Sequence, residues 1–245
     1  MPMKAMIFAA GLGTRMQHLT KNRPKALIEI GGITLLEIAI RRLKYFGCRE
    51  IIINIHYLGG QIREFLEEKN NFGIDIAISD ETDQILDTGG GLKKAAWFFD
   101  PAPFLAINVD IVTSLDLAAL YTAHLHERPL STLAVRHRES SRLLLFDDAQ
   151  QLCGWRNTHK KEQITVRTAS ELHPLAFSGV HVISPELFAF FPPHEKVFSI
   201  IDVYLAAAAH GRILAYPHDE DFWLDVGKPE QVPKAETALA TIALG

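Results

Sequence analysis

The chain has few cysteines, no long apolar run and little net charge. Two cysteines, Cys48 and Cys153, occur in 245 residues, and neither belongs to a C-x-x-C or cysteine–histidine pattern. We therefore expect two buried, reduced thiols rather than a disulfide framework or a structural metal site. No window of 18 apolar residues occurs, which excludes a helix that spans a bilayer. The net charge of −4 disfavours general nucleic-acid binding, because such proteins are usually basic.

A secretion signal is also lacking. The apolar run 5–10 after Lys4 is short, and Gly11, Gly13 and Arg15 interrupt it, so we expect a cytoplasmic protein. With 48% hydrophobic and 22% charged residues, the composition is that of a globular protein with a sizeable core. No linker rich in Pro, Gly or Ser divides the chain, and we expect one domain over residues 1–245.

The first half of the chain alternates strand and helix patterns. After the strand run that ends at residue 10, the expected elements are a helix at 35–46, a strand at 51–53, a helix at 61–68, a strand at 74–78, a helix at 91–99, a strand at 104–107 and a helix at 115–124. This alternation predicts an α/β fold with a mostly parallel sheet covered on both faces. The loops that follow the strands then meet at one edge of the sheet.

The second half is less regular. Strand patterns at 133–135, 143–146, 152–155 and 176–183 follow one another without full helices between them. They predict antiparallel additions to the sheet that form a lid or a substrate-facing subregion. A helix at 199–209, strands at 213–216 and 222–226, and a closing helix at 229–244 complete the pattern.

The first strand runs directly into Gly11-Leu12-Gly13-Thr14-Arg15, and Lys25 follows shortly afterwards. Glycines let the backbone approach an anion closely, while Arg15 and Lys25 supply positive charge for a polyphosphate. The third glycine of the dinucleotide fingerprint is missing, and no Walker A sequence Gly-Lys-Ser/Thr occurs. The loop therefore indicates nucleoside triphosphate handling by a different phosphate-binding sequence.

Two carboxylates follow or end expected strands. Asp110 comes shortly after the strand at 104–107, and Asp225 lies in the strand at 222–226. A carboxylate at the carboxyl end of a parallel strand faces the ligand crevice. Because Mg²⁺ takes one or two carboxylates together with phosphate oxygens, we expect Asp110 and Asp225 to share one Mg²⁺, for which Mn²⁺ can substitute.

A third element is the sequence Asp87-Thr88-Gly89-Gly90-Gly91. Asp87 or Thr88 can cap the following helix, but three consecutive glycines exceed what a cap requires. We expect a base or ribose to lie against this bare backbone. Glu81, upstream in the same region, is a candidate acceptor for a base N–H.

Taken together, these segments resemble the sugar-1-phosphate nucleotidyltransferases, also called sugar-nucleotide pyrophosphorylases, over nearly the whole chain. The segments that carry the resemblance are Gly11-Leu12-Gly13-Thr14-Arg15 with Pro24-Lys25, Asp87-Thr88-Gly89-Gly90-Gly91, Asn108-Val109-Asp110, Phe177-Ser178-Gly179-Val180 and Trp223-Leu224-Asp225-Val226-Gly227. The resemblance implies a Rossmann-like, three-layer α/β/α fold of the glycosyltransferase-A kind. It is greatest to bacterial N-acetylmuramate-1-phosphate uridylyltransferases and mannose-1-phosphate guanylyltransferases, which implies a role in sugar-nucleotide biosynthesis for the cell envelope.

The resemblance also implies a role for each matched residue. Arg15 would hold the β- and γ-phosphates, Lys25 the α-phosphate and the sugar phosphate, and Asp110 with Asp225 the Mg²⁺. The implied nucleotide contacts are Ala10, Gly11, Gly13, Thr14, Glu81, Thr88, Gly89 and Gly90, and the implied sugar contacts are Asn108, Ser178 and Gly179. The substrates would be an NTP, UTP or GTP, and a sugar 1-phosphate. The ionised phosphate of the sugar 1-phosphate would attack the α-phosphorus of the NTP in line, without a general base.

The chain departs from this family pattern at two places. Val109 stands where many relatives have glycine. The stretch Gly154-Trp155-Arg156-Asn157-Thr158 lacks the Glu-Lys-Pro segment that supplies a second active-site lysine in larger relatives, and Lys160 or Lys161 is only a weak substitute.

Three alternative functions remain open at this point. One is a cytidylyltransferase acting on phosphocholine, and another is a non-catalytic regulatory homologue. The third is a glycosyltransferase, for which Asp219-Glu220-Asp221 offers D-x-D spacing, although we expect a solvated acidic turn there.

Two further sets of residues carry expectations of their own. His124 and His126 lie two apart on an expected helix, so they do not share a face and should be surface residues. Arg136, Arg138 and Arg142 concentrate positive charge in an acidic chain. They form either a solvated basic loop or a site where one arginine pairs with an acidic group on the sugar, such as a lactyl carboxylate.

Overall fold

The computed structural model describes residues 3–244, apart from the side chain of Gln17. The strands in this part are β1 (Lys4–Phe8), β2 (Glu29–Ile30), β3 (Ile33–Thr34), β4 (Glu50–Ile55), β5 (Asp75–Asp80), β6 (Phe104–Asn108), β7 (Ile111–Thr113), β8 (Ser131–Arg136), β9 (Arg142–Phe146), β10 (Leu152–Asn157), β11 (Glu162–Thr165), β12 (His173–Ile183), β13 (Ile213–Pro217) and β14 (Trp223–Asp225). The α-helices are α1 (Leu35–Tyr45), α2 (Gly59–Glu68), α3 (Asp87–Ala95), α4 (Leu117–Glu127), α5 (Ile200–Ala208) and α6 (Val232–Leu239).

One half of the main sheet is parallel, in the order β5-β4-β1-β6. Met6 of β1 lies opposite Ile52 of β4 and Ala106 of β6, and all three side chains are fully buried. Strands buried on both faces are typical of a parallel sheet covered by helices, as the sequence predicts.

Each face of this sheet has its own apolar core. Ile7 and its neighbours on one face pack with residues of α1, α2 and α4. Met6 and Phe8 on the other face pack with residues of α3 and α5, including the fully buried Tyr204. This arrangement is the expected Rossmann-like, three-layer α/β/α fold.

The second half extends the sheet with antiparallel strands, which confirms the expected additions. The long strand β12 pairs antiparallel with β6, β8 and β9, and β10 continues from β9 to β11. The register of β12 against β8 shifts between Phe177 and His181, where Gly179 has a φ of +73°. Short strands β7 and β14 form a separate antiparallel pair. The strand patterns do not predict β7, because it has only three residues.

Several expectations about individual elements are corrected. Helix α3 begins at Asp87 rather than at residue 91, so the three glycines lie inside its first turns. The closing helix is shorter than expected: a 3-10 turn, Pro229–Gln231, precedes α6, which ends at Leu239. His126 is exposed as expected, but His124 is 1% exposed, because its helix turns that residue toward β8, where Nδ1 contacts Thr132 Oγ1.

Cys48 and Cys153 are both buried and free, as expected. Burial raises the pKa of the Cys48 thiol to about 12, which keeps it protonated at neutral pH. None of the described helices has both the length and the apolar composition that a membrane crossing requires.

Candidate active site

A cavity of about 410 Å³ opens at the carboxyl edge of the parallel strands. It is lined by the ends of β1, β4 and β6 and by the loop that follows each of β1, β5 and β6. The sequence-predicted site residues along its wall are Ala10, Gly11, Gly13, Thr14, Arg15, Lys25, Glu81, Thr88, Asn108 and Asp110. The parallel topology therefore brings residues from three separate connections to one edge, as the pattern predicts.

The loop after β1 is open on the cavity side. No atom within 4 Å would obstruct a side chain at Gly11, so the backbone there is accessible to a ligand. Gly13 has a φ of +64°, a left-handed conformation that favours glycine. Its carbonyl accepts from Met16 N at 2.8 Å and from Thr20 Oγ1 at 3.0 Å, which fixes the turn.

Asn54 fixes the point where this loop leaves the sheet. Its Oδ1 accepts from Ala9 N at 2.8 Å, and its Nδ2 donates to Glu81 Oε1 at 2.7 Å. The other Glu81 oxygen accepts from Leu86 N at 3.1 Å. One paired network therefore joins the loop after β1 to the segment that precedes α3. Asn54 is not among the sequence-predicted residues, although its place at the end of a parallel strand is a usable signal.

This network also includes Glu81, the candidate acceptor for a base N–H. The side chain is 1% exposed, and both of its oxygens accept hydrogen bonds from the chain itself. Burial raises the pKa of the carboxyl, while the bonds from Asn54 and Leu86 oppose that shift. These bonds fix the orientation of Glu81 in the cavity wall, and its contact with a base N–H stays a prediction.

The three glycines of α3 also differ from the expectation. A Cβ at Gly89 would lie 2.5 Å from a ring carbon of Phe198, and a Cβ at Gly90 would lie 2.0 Å from Lys196 O. The N–H groups of both glycines donate to Phe198 O. Gly89 and Gly90 therefore allow close packing against the segment before α5 and lie outside the cavity wall. Of the predicted residues in this turn, only Thr88 lines the cavity.

Lys25 and Asp110 line one end of the cavity, and Asp225 lies close behind them. Lys25 Nζ forms an ion pair with Asp110 Oδ2, and the lysine is 8% exposed. Asp225 pairs with Ile111 across β14 and β7, and the following amide, Val226 N, donates to Asp110 O at 2.9 Å. The short β7–β14 ladder thus brings the two predicted metal carboxylates together across more than a hundred residues of sequence.

The electrostatics of Asp225 suit a cation. Burial raises the pKa of its carboxyl, and the neighbouring Asp110 raises it further, whereas Lys25 and Arg15 lower it. Its Oδ1 is buried and has no hydrogen-bond partner among the described residues. Two adjacent carboxylates with an unpartnered oxygen match the donor set that Mg²⁺ prefers, so Asp110 and Asp225 are able to hold such an ion.

Gly227 brings Arg15 close to this pair. A Cβ at Gly227 would lie 2.9 Å from Asp225 Oδ1 and 3.1 Å from Arg15 Nη2. A glycine at this position leaves room for the guanidinium and the carboxylate beside the same backbone segment. The two predicted cations, Arg15 and Lys25, therefore border the two predicted metal ligands.

The predicted sugar contacts are only partly in the cavity. Asn108 lines it, and a Cβ at Gly179 would lie 2.8 Å from Asn108 Nδ2, so Gly179 packs directly behind that side chain. Ser178 is fully buried; its hydroxyl lies 2.7 Å from His218 Nε2, and its carbonyl accepts from Trp223 Nε1 at 2.8 Å. These contacts engage Ser178 within the protein, outside the cavity wall, and its expected sugar contact stays a prediction.

Other candidates lie away from the cavity. Lys160 and Lys161 are exposed at the turn between β10 and β11. Asp219 accepts from His137 N at 2.7 Å, and neither Asp219 nor Asp221 lines the cavity wall, which matches the expected acidic turn. Val109 is buried against the wall, and its N–H donates to Phe8 O at 3.1 Å.

Comparison with known proteins places the chain in a family. Residues 4–145 match the nucleotidyl transferase family. The chain is 32% identical to N-acetylmuramate alpha-1-phosphate uridylyltransferase of Caulobacter vibrioides, with 98% of each chain covered. It is 30% identical to the Neisseria meningitidis protein of the same name, over 96% of this chain and 97% of that one. The chain belongs to the nucleotidyl transferase family, and the likeness seen in the sequence is confirmed.

More distant relatives and solved structures agree with this. The chain is 25% identical to the catalytic subunit beta of mannose-1-phosphate guanylyltransferase of Drosophila pseudoobscura pseudoobscura, over 93% of this chain and 60% of that one. A UDP-glucose pyrophosphorylase complexed with UDP-glucose superposes with a TM-score of 0.77 at 18% identity, covering 98% of this chain and 99% of the other. The inositol-1-phosphate CTP transferase of T. maritima gives 0.76 at 15%, covering 97% and 96%. These structures share the fold.

Proposed function

We propose that this chain is a sugar-1-phosphate nucleotidyltransferase that transfers a uridylyl group from UTP to N-acetylmuramate 1-phosphate and releases pyrophosphate. The observation that carries the proposal is the 32% identity to a uridylyltransferase of that name over 98% of both chains. The meeting of Lys25, Asp110 and Asp225 at one end of the cavity supports the chemistry.

The proposed chemistry needs charge stabilisation and orientation. Asp110 and Asp225 would hold Mg²⁺, or Mn²⁺ in its place, and the ion would neutralise the phosphate oxygens. Lys25 lies beside these carboxylates and would contact the α-phosphate and the sugar phosphate. Arg15 lies near Asp225 and would contact the outer phosphates. The attacking sugar phosphate is already ionised at neutral pH, so the reaction requires no general base.

The base would lie at the opposite end of the cavity. Leu12 and Ile85 both line its wall, and they are 43% and 37% exposed. A flat base placed between them would cover this apolar surface. Thr88 and Asp87 lie next to Ile85 on the same wall and offer polar groups to the nucleotide.

A second candidate is a mannose-1-phosphate guanylyltransferase, which the 25% identical relative favours. That relative is matched over only 60% of its length, whereas the uridylyltransferases are matched over nearly all of theirs. A phosphocholine cytidylyltransferase differs from both candidates in its acceptor. A glycosyltransferase differs from both because it releases a nucleoside diphosphate instead of pyrophosphate. A regulatory homologue would show no turnover.

The experiment that tests the proposal is a substrate matrix. Pyrophosphate release is measured with each of UTP, GTP, CTP, ATP and dTTP against N-acetylmuramate, N-acetylglucosamine, mannose and glucose 1-phosphates and phosphocholine. We expect the greatest kcat/KM for UTP with N-acetylmuramate 1-phosphate. A maximum for GTP with mannose 1-phosphate, or no pyrophosphate release with any pair, would overturn the proposal.

The proposal also includes a requirement for a divalent metal ion and a location for the reaction. Excess chelator should abolish turnover, and Mg²⁺ or Mn²⁺ should restore it. Persistent turnover in chelator would exclude the ion from the reaction. We place the reaction in the cytoplasm, in keeping with two free, buried cysteines.

A further inference from the structure

Arg138 is an unusual arginine in this structure. It follows β8, and its guanidinium lies 4.5 Å from the centre of the Trp223 ring. Its Nη2 donates to Phe177 O at 3.1 Å, and its Nη1 makes a longer contact of 3.4 Å with Glu139 O. Stacking on the indole and the bond to Phe177 O hold the plane of the guanidinium in one orientation.

The charge of this arginine is not balanced by an ion pair. Among the described residues, no carboxylate forms a salt bridge with Arg138, and its Nε is buried without a hydrogen-bond partner. Burial lowers the pKa of the guanidinium, and Asp225 is the nearby carboxylate that opposes this shift. A half-buried cation with an unpaired N–H is a poor structural element by itself, because buried polar groups are normally paired.

Its location relative to the reaction is informative. Trp223, which supports Arg138, lies two residues before Asp225 on β14, so both side chains are on one face of that strand. The bond from Arg138 Nη2 to Phe177 O joins it to the strand segment that the sequence predicts to contact the sugar. Within that segment, Gly179 packs behind Asn108, which lines the cavity. Arg138 therefore lies beside the segment predicted to contact the acceptor.

The two neighbouring arginines do not share these properties. Arg136 directs Nη1 and Nη2 to the carbonyls of Asp221 and Asp219, each at 3.2 Å, which fixes it to the turn before β14. Arg142 is exposed at the start of β9. Only Arg138, among these three, combines a fixed orientation with an unpaired buried N–H.

We infer that Arg138 binds an anionic group on the sugar acceptor, specifically a carboxylate attached to the ring, and that Trp223 holds the guanidinium in position for it. A planar guanidinium meets a carboxylate through two parallel N–H···O bonds. This inference rests on the proposed function and adds to it the residue that selects the acidic sugar.

The test compares two acceptors that share the acetamido-hexose ring and differ in the carboxylate. These are N-acetylmuramate 1-phosphate and N-acetylglucosamine 1-phosphate, each used with UTP, and kcat/KM is measured for the native protein, Arg138→Ala and Arg138→Lys. We expect Arg138→Ala to lower the ratio of the two kcat/KM values roughly 10- to 100-fold, as the loss of a charge-assisted bond would. Arg138→Lys should retain part of the preference, since it keeps the charge but not the fork. Arg142→Ala is the matched control and should leave the ratio unchanged.

Each outcome separates this inference from the proposed function. If the native protein uses neither acceptor, the proposed function fails. If the native protein prefers the acidic sugar and Arg138→Ala keeps that preference, the function stands and the inference is overturned. The inference is also overturned if Arg138→Ala lowers both kcat/KM values equally, because Arg138 would then act on Asp225 and the phosphates. A native protein that uses both acceptors equally also contradicts it.

Discussion

The two sides of the active-site cavity differ in how completely their buried polar groups are paired. On one side is the parallel-side network, defined as Ala9, Asn54, Glu81 and Leu86, in which both Asn54 side-chain groups and both Glu81 oxygens have partners within the chain. On the other is the β14 cluster, defined as Arg138, His218, Trp223 and Asp225. Three of its buried atoms lack hydrogen-bond partners among the described residues: Arg138 Nε, Asp225 Oδ1 and His218 Nδ1, which lies 3.6 Å from Asp221 Oδ2.

This difference separates scaffold from binding surface. A fully paired buried network fixes one backbone geometry, because each lost partner would leave a desolvated polar group. Unpaired buried groups lower the stability of the free protein and can be partnered when a ligand or ion binds. The parallel-side network therefore shapes the cavity before substrate arrives, and we propose that substrate and metal supply the missing partners in the β14 cluster.

The largest expected effect is from removing Lys25, which lies between the two sides. Lys25→Ala should lower kcat by at least about tenfold and up to ~1000-fold, since a preorganised charge at a transferring group is worth roughly 2.7–4 kcal/mol. Steady-state pyrophosphate release measures this change, and Arg15→Ala should also cost at least about tenfold.

Two controls accompany the Lys25 measurement. Lys21→Ala removes an exposed lysine from the same loop and should have little effect on kcat. Because Lys25 is buried against Asp110, Lys25→Met keeps most of the side-chain volume, and thermal unfolding checks that both Lys25 variants are folded. Near-normal turnover in folded Lys25→Met would contradict the role assigned to this residue.

The next effect concerns the ion that we expect in the β14 cluster. Asp225→Asn and Asp110→Asn should each raise the Mg²⁺ concentration that gives half-maximal turnover, because each removes one of two shared carboxylate ligands. Titrating turnover with Mg²⁺ measures the shift. Asp83→Asn, at an exposed aspartate between β5 and α3, is the matched control. A shift in only one of the two active-site variants would exclude shared coordination.

The sequence predicts the parallel side of the molecule better than the β14 cluster. The strand runs and the loop at Gly11 predict the sheet and its ligand edge, because strand, loop and helix are contiguous in the chain. The β14 cluster joins segments around residues 138, 218 and 223, which the pairing of β13 with β8 and of β14 with the three-residue strand β7 helps to bring together. Such long-range pairing leaves no periodic signal in the sequence.

The glycines of α3 show the same limit on the parallel side. A run of Gly89, Gly90 and Gly91 indicates close backbone approach, but the sequence does not identify what approaches. The structure shows protein there: Phe198, Lys196 and Glu81 lie where Cβ atoms would be. A run of glycines predicts that another group lies close to the backbone. The tertiary fold determines whether that group is a ligand or another part of the chain.

A smaller effect tests the pairing of the parallel-side network. Asn54→Ala should lower the free energy of unfolding by about 1–3 kcal/mol, because Ala9 N and a Glu81 oxygen lose their buried partner. The nucleotide KM should rise as the loop after β1 loosens. Ser79→Ala on the adjacent strand β5 is the contrast, since the Ser79 hydroxyl is buried without a partner and its removal should be neutral or stabilising. Chemical denaturation measures both, and equal losses would remove the distinction between paired and unpaired groups.

The smallest effect concerns His218 and the pH dependence of stability. Burial lowers the pKa of His218 below its ordinary 6.5, and Arg136 lowers it further, while Asp221 and Asp219 oppose the shift. As the pH falls through about 6.5, His218 therefore binds a proton more readily in the unfolded chain than in the folded protein. The stabilisation from neutral His218 is complete above that pH and is lost as the pH falls toward the folded pKa.

His218→Gln should consequently weaken the loss of unfolding free energy between pH 7.5 and pH 5, measured by denaturant titration at each pH. The loss should not disappear, because burial also lowers the pKa of His124 to about 4 and that residue contributes with the same sign. His126→Gln changes an exposed histidine and should leave the pH profile as it is in the native protein. An unchanged pH profile in His218→Gln would mean that His218 accepts a proton in the folded protein as readily as in the unfolded chain. The contrast between the two sides of the cavity would then rest on Arg138 and Asp225 alone.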